Sequence, residues 1–214
     1  MSKQRFYIKH TSLRLIVLLL ACPYLAGVAS AQDDRWYMGL KAGINITDFT
    51  GSGLNDSALG GGNTGAVVIY NLRGAWSLLS GLEYSMKGAE YNRRDILETQ
   101  LNYVELPMLL MFNFRQERVN PRIFAGITGS ALLTAKNEQR NNTVINVEEN
   151  YRNFELGVAG GAGLSVAMGD YHWLLFDLRY HQGVTGITRP GSGVRNRGLS
   201  LNVMFVFSLK SRQI

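Results

Sequence analysis

Residues 36–48 read WYMGLKAGINITD. Trp36, Met38, Leu40, Ala42, Ile44 and Ile46 are apolar. The residues between them, Tyr37, Gly39, Lys41, Gly43, Asn45 and Thr47, are polar, aromatic or small. Side chains along a strand point alternately to its two faces, so this pattern predicts a strand with one apolar and one polar face. Length constrains the fold further. A tilted strand crosses a hydrocarbon core in about 9–11 residues, whereas a soluble strand is usually nearer ~5–6. Strands in lipid must close into a barrel, because each unmet backbone group at an open edge costs several kcal/mol (roughly 2–7).

The pattern recurs over residues 64–72, 75–91, 99–115, 122–135, 154–168, 172–187 and 198–209. Outward sets include Ala66, Val68 and Tyr70, then Val104, Leu106, Met108 and Leu110, then Leu174, Phe176, Leu178 and Tyr180. Pro107 cannot donate a ladder hydrogen bond, so a bulge or bend is expected there. Connections alternate. Residues 49–63, 88–98, 136–153 and 187–197 read as long loops, and 73–74, 116–121 and 169–171 as short turns. Long outer loops with short inner turns are the habit of bacterial membrane barrels. Each tryptophan (Trp36, Trp76, Trp173) starts a strand at the short-turn end. Tyr70, Phe112, Phe114, Phe205 and Phe207 lie near the ends of strands returning there, and together these eight predict an aromatic girdle. A secreted lipocalin-like barrel is the competing fold; it would place its apolar face inward.

The N-terminus carries Lys3, Arg5, Lys9 and Arg14, then the apolar stretch 15–29 and the small-x-small triplet Ala29, Ser30, Ala31. This predicts a cleaved export signal over 1–31 and a barrel domain over 32–214. A retained N-terminal helix and a lipoprotein signal ending at Cys22 are the alternatives. Removing the signal's 4 basic residues from 22 leaves 18 against 16 acidic, a net of +2, so the basic balance does not argue for nucleic acid. Cys22 is the single cysteine and leaves with the signal, so no disulfide framework is expected.

The inward face collects Lys41, Glu83, Lys87, Glu105, Arg122, Glu155, Asp177 and Arg179. Four are basic and four acidic, and such a set is expected to pair, because an isolated ion out of bulk water is costly. An eight-stranded barrel is only wide enough for its own side chains, so the set predicts an ionic plug, with a narrow polar path as the alternative. His181 lies on the same face without a nucleophile motif, so no catalytic residue is assigned. The glycines of strand 154–168 lack the lysine and helix of a phosphate loop. Arg93, Arg94, Arg189, Arg195 and Arg197 fall in predicted outer loops, where they can meet lipopolysaccharide phosphates. No metal-ligand spacing and no cofactor motif is present.

With the strands placed, the chain resembles the small outer-membrane β-barrel ("porin family") proteins of diderm bacteria, identified as the outer membrane protein β-barrel domain family. The resemblance is carried by GLKAGIN at 39–45, GLEYSMKG at 81–88, NYVELP at 102–107, FAG at 124–126, FELGVAGGAG at 154–163 and DLRY at 177–180. It implies an all-β, eight-stranded antiparallel up-and-down transmembrane β-barrel, a monomer inserted by the outer-membrane assembly machinery. That machinery is thought to read the last strand, which usually ends on an aromatic; here Phe207 is followed by 208–214. The expected role is structural or surface-interacting through the loops, with a narrow channel or carrier for small solutes as the second class.

Overall fold

The computed structural model describes residues 35–51, 56–91, 96–114, 118–139, 143–169, 171–189 and 193–209. The expected signal over 1–31 lies outside them. Nine strands are present among the described residues: β1 (Trp36–Thr50), β2 (Asp56–Asn71), β3 (Trp76–Tyr91), β4 (Ile96–Asn113), β5 (Val119–Gln139), β6 (Val144–Asn146), β7 (Phe154–Ala167), β8 (His172–Gly183) and β9 (Arg195–Ser208). Eight run antiparallel around a closed barrel, in which β4 pairs with β5 and β1 pairs with β9. The ninth, β6, is a short addition to the edge of β5 above the point where β7 leaves it.

The apolar face is outside. Leu40 and Ile44 of β1 are 71 % and 61 % exposed, while Lys41 between them is 3 % exposed. A lipocalin-like barrel would show the reverse. The shortest barrel strand, β8, has 12 residues; at about 3.3 Å per residue and a tilt of about 45° it spans roughly 28 Å, enough for the ~25 Å apolar band of a membrane barrel. No helix among the described residues is long and apolar enough to cross a membrane.

Three expectations change at the long-connection end. β2 begins at Asp56 and pairs Gly60, Gly61 and Gly62 with Ile46, Asn45 and Ile44, so much of 49–63 is strand. β4 begins at Ile96 and β5 runs to Gln139, so 88–98 and 136–153 are not loops throughout. Pairing with a neighbouring strand outweighs the turn preference of glycine and asparagine here, and only the three-dimensional neighbours supply that pairing. Conversely β8 ends at Gly183, short of residue 187, because the chain leaves the ladder to close the barrel mouth.

The expected bulge at Pro107 is absent. The β3–β4 register is the same on both sides of it, with Ser80 opposite Met108 and Glu83 opposite Glu105. The Ser80 hydroxyl donates to the Pro107 carbonyl at 2.9 Å. Register shifts fall elsewhere, between Ala58 and Asn63 and near Asn102. At the opposite end the turn between β2 and β3 is tight. Gly74 joins β2 to β3 at φ 68°, a left-handed conformation that suits glycine.

Candidate functional site

The barrel interior is built in layers. Nearest the short turns lies an apolar layer of Val67, Ile69, Leu79, Leu109, Met111, Phe124, Ala159, Leu175, Met204 and Val206. Seven of these ten come from the runs VVIY (67–70), LPMLLMF (106–112), WLLF (173–176) and VMFVF (203–207), where both strand faces are apolar. An unbroken apolar run means neither face meets water, and this signal is readable in the sequence.

Above it lies the ionic layer, although Arg122 also lines the cavity at the short-turn end. The structure buries all eight of Lys41, Glu83, Lys87, Glu105, Arg122, Glu155, Asp177 and Arg179. They do not form one network. Glu83 is the centre of the first group, paired with Lys41 and, at 3.2 Å, with Arg179. Lys87 is the centre of the second, 2.5 Å from Glu105 and 3.7 Å from Glu155. Arg122 and Asp177 form a separate pair, with Arg122 also donating to the Ser165 hydroxyl at 3.1 Å. The first group has one excess positive charge and the second one excess negative charge, so the interior is neutral as a whole.

Neutral side chains not singled out in the sequence complete this layer. The Asn196 amide donates to Glu155 at 2.8 Å and to the Tyr103 hydroxyl at 3.3 Å. Ser130 donates to Glu105 at 3.1 Å. Lys87 stands over the Tyr103 ring, 5.1 Å from its centroid. Their inward parity was available, but asparagine and serine give no sign of which carboxylate they will meet. His181 sits 3.1 Å from the Thr128 hydroxyl, in space that a side chain at Gly157 would fill: a Cβ there would lie 2.5 Å from the imidazole Nε2. A close approach between strands is thus the structural use of one glycine in that glycine-rich strand. A void of about 30 Å³ remains among Lys41, Glu83, Lys87 and Arg179.

The mouth at the long connections is corked. Phe49, Ala89, Leu101, Tyr103, Ala135, Tyr151 and Ile187 form a second buried apolar cluster. Tyr151 and Ile187 enter from segments read as loops. They are held by a bridge between Tyr151 and Thr188 and by backbone bonds from Arg152 to Ile187 and from Arg189 to Asn150.

The aromatic positions divide. Trp36 packs on Tyr70 with centroids 4.5 Å apart, and Trp76 on Phe112 at 5.0 Å, next to Phe114. Phe205 and Phe207 are exposed on the outer wall. Trp173 departs from the expected girdle. It shares its face with Leu175 and Asp177, packs against the inner apolar layer and lines the cavity at the short-turn end. Strand parity decides this, since Leu174 and Phe176 take the outward places.

The loop arginines also divide. Arg93 and Arg94 lie outside the described residues. Arg195 and Arg197 are in β9, not in a loop, and Arg197 makes a two-point ion pair with Asp48 at 2.5 and 2.8 Å. Arg189 is exposed and donates to the Asn153 side chain at 3.0 Å. No group of histidine, cysteine or carboxylate side chains among the described residues is arranged to hold a metal.

A closed barrel with a lipid-facing apolar wall and a paired, buried ionic interior defines an integral outer-membrane β-barrel. The chain belongs to the outer membrane protein β-barrel domain family, which matches residues 30–189. No curated protein sequence matches it. Among solved structures, Neisserial surface protein A is similar with a TM-score of 0.51 and 14 % identity over 79 % of this chain and 95 % of that one. The outer membrane protein OprG of Pseudomonas aeruginosa is similar with a TM-score of 0.50 and 10 % identity over 83 % and 97 %. At these identities the likeness concerns the fold.

Proposed function

We propose that this protein is a non-conducting outer-membrane barrel, a structural and surface-interacting component of the cell envelope that acts through its long-connection end. One observation carries the reading: the interior is blocked by two apolar layers with an ionic layer between them. An ion entering the apolar layer would lose its hydration with nothing to replace it. The same blockage argues against a solute path and against an enzyme using His181, which lies between the layers.

In this reading the short turns face the periplasm and the corked end faces outward. The chain is exported by the signal over 1–31, inserted by the outer-membrane assembly machinery and works as a monomer without a cofactor or nucleic acid. Arg189 and Arg195, both exposed at the outer end, are its contacts for lipopolysaccharide phosphates. Arg197 is committed to Asp48 and contributes less. The test is a conductance trace of the refolded barrel in a planar bilayer. A flat trace is expected; steady discrete steps would refute the reading and favour the narrow channel.

A further inference from the structure

The ionic layer holds one arginine edge that its neighbours leave unused. Arg179 reaches across the lumen from β8 to β3, where Nη1 donates to the two Glu83 oxygens at 3.2 and 3.4 Å. Its Nε and Nη2 are buried and have no partner among the described residues. Arg179 and Glu83 both line the void of about 30 Å³. We propose that this void holds a single chloride ion, taken up as the barrel closes and held by the Nε–Nη2 edge of Arg179.

A guanidinium carries its donors in a rigid planar fork, in which Nε–H and one Nη2–H run side by side. Such a pair converges on one anion or on the two oxygens of an acidic group. The two donors are adjacent by covalent geometry and need no arrangement of neighbouring residues. The Phe124 ring stands 5.9 Å from the guanidinium carbon and offers no conventional acceptor. Glu83 is reached only through Nη1. The fork therefore remains available, on a side chain that is itself part of the wall of the void.

Charge selects the occupant. The wall carries Lys41, Lys87 and Arg179 against Glu83 and Glu105, an excess of one positive charge, with His181 beside them. Both carboxylates are already engaged, Glu83 by Lys41 and Arg179, and Glu105 by Lys87 and Ser130. Glu155 balances the interior as a whole, but it lies 3.7 Å from Lys87 Nζ and is not part of this wall. A cation would add to the excess. A water would serve the fork, and also Asn63 Oδ1, an unpartnered acceptor on the same wall, yet it would leave the excess charge uncompensated. A monovalent anion cancels it. Size sets the other limit. A water needs about 10–15 Å³, so the void takes one ion somewhat larger than a water and excludes phosphate, sulfate and carboxylic acids. Chloride meets both conditions. The site lies between the two apolar layers, so the ion is occluded and not conducted, and its recognition does not depend on the function proposed above.

The experiment is urea unfolding of the barrel in lipid vesicles at rising chloride, with gluconate holding the ionic strength constant. An ion bound only by the folded barrel makes stability rise with the logarithm of its concentration. Above the dissociation constant, each tenfold increase in chloride is expected to multiply the folded-to-unfolded ratio about tenfold, equivalent to about 1.4 kcal/mol. Bromide should substitute for chloride, and gluconate should not. Arg179→Lys keeps a cation opposite Glu83 and removes the fork, so the chloride dependence should be lost in it. Should that variant not fold, crystals of the unaltered barrel grown in bromide should show one anomalous-scattering peak in the void, within hydrogen-bond reach of Arg179. No chloride dependence, the same dependence in folded Arg179→Lys, or a void without bromide would overturn the proposal. A conducting barrel with the expected chloride dependence would refute only the function proposed above.

Discussion

Replacing Lys87 with methionine is expected to be the most damaging change to the ionic layer, together with loss of Glu83. Lys87 is 4 % exposed and holds two carboxylates, Glu105 at 2.5 Å and Glu155 at 3.7 Å. At the longer distance and an effective dielectric near 20, the gross attraction is about 4 kcal/mol. Methionine keeps the volume and removes the charge, leaving two buried carboxylates that keep their hydrogen bonds from Ser130 and Asn196 but lose their ion-pair partner. Removing one partner of a buried pair costs about 3–5 kcal/mol, because the other charge is left uncompensated. Glu105→Gln should cost less, about 1–3 kcal/mol, since Lys87 still has Glu155 and a glutamine oxygen can still accept from Ser130. The ordering follows from connectivity: loss of the central ion strands two like charges, whereas loss of an outer one leaves a pair. Urea unfolding of the barrel in lipid vesicles, followed by tryptophan fluorescence, measures both. A loss for Lys87→Met no greater than that for Glu105→Gln, with equal denaturant slopes, would refute the reasoning.

Two further predictions concern the ends of the barrel. In single-tryptophan variants, brominated lipid should quench Trp36 and Trp76, which stand on the outer wall, but not Trp173, which faces inward; equal quenching of all three would return Trp173 to the girdle. At the outer cork, burial holds the Tyr151 phenol above its ordinary value, against the opposing hydrogen bond with Thr99. A raised acid contributes its stability below the unfolded value near 10 and loses it as the pH rises further, so the cork should loosen only above about pH 10. Protease cleavage within 143–153 as a function of pH reads this, and in Tyr151→Phe the pH dependence should disappear.

The fold class and the two faces of each strand were legible in the order of the residues. Alternation assigned Lys41, Glu83, Lys87, Glu105, Arg122, Glu155, Asp177 and Arg179 to one face, and strand length together with the aromatic ends pointed to lipid outside. These are local properties: parity follows from the two-residue period of a strand, and span from its length. Which ions meet is set by the closing of the barrel. Glu83 and Arg179 are 96 positions apart, and their contact depends on barrel shear and register. The same holds for the division into two charged triads and a separate pair, and for the insertion of Tyr151 and Ile187 into the mouth. It holds for the strands running through glycine-rich stretches that read locally as loops, because a neighbouring strand supplies the pairing that the local sequence does not encode. Trp173 lies between the two cases. Its parity was legible, but its type suggested a membrane interface, and the polar wall of Asn71, Ser77 and Asn113 that shares its cavity exists only once β2, β3, β4 and β8 are closed into a ring.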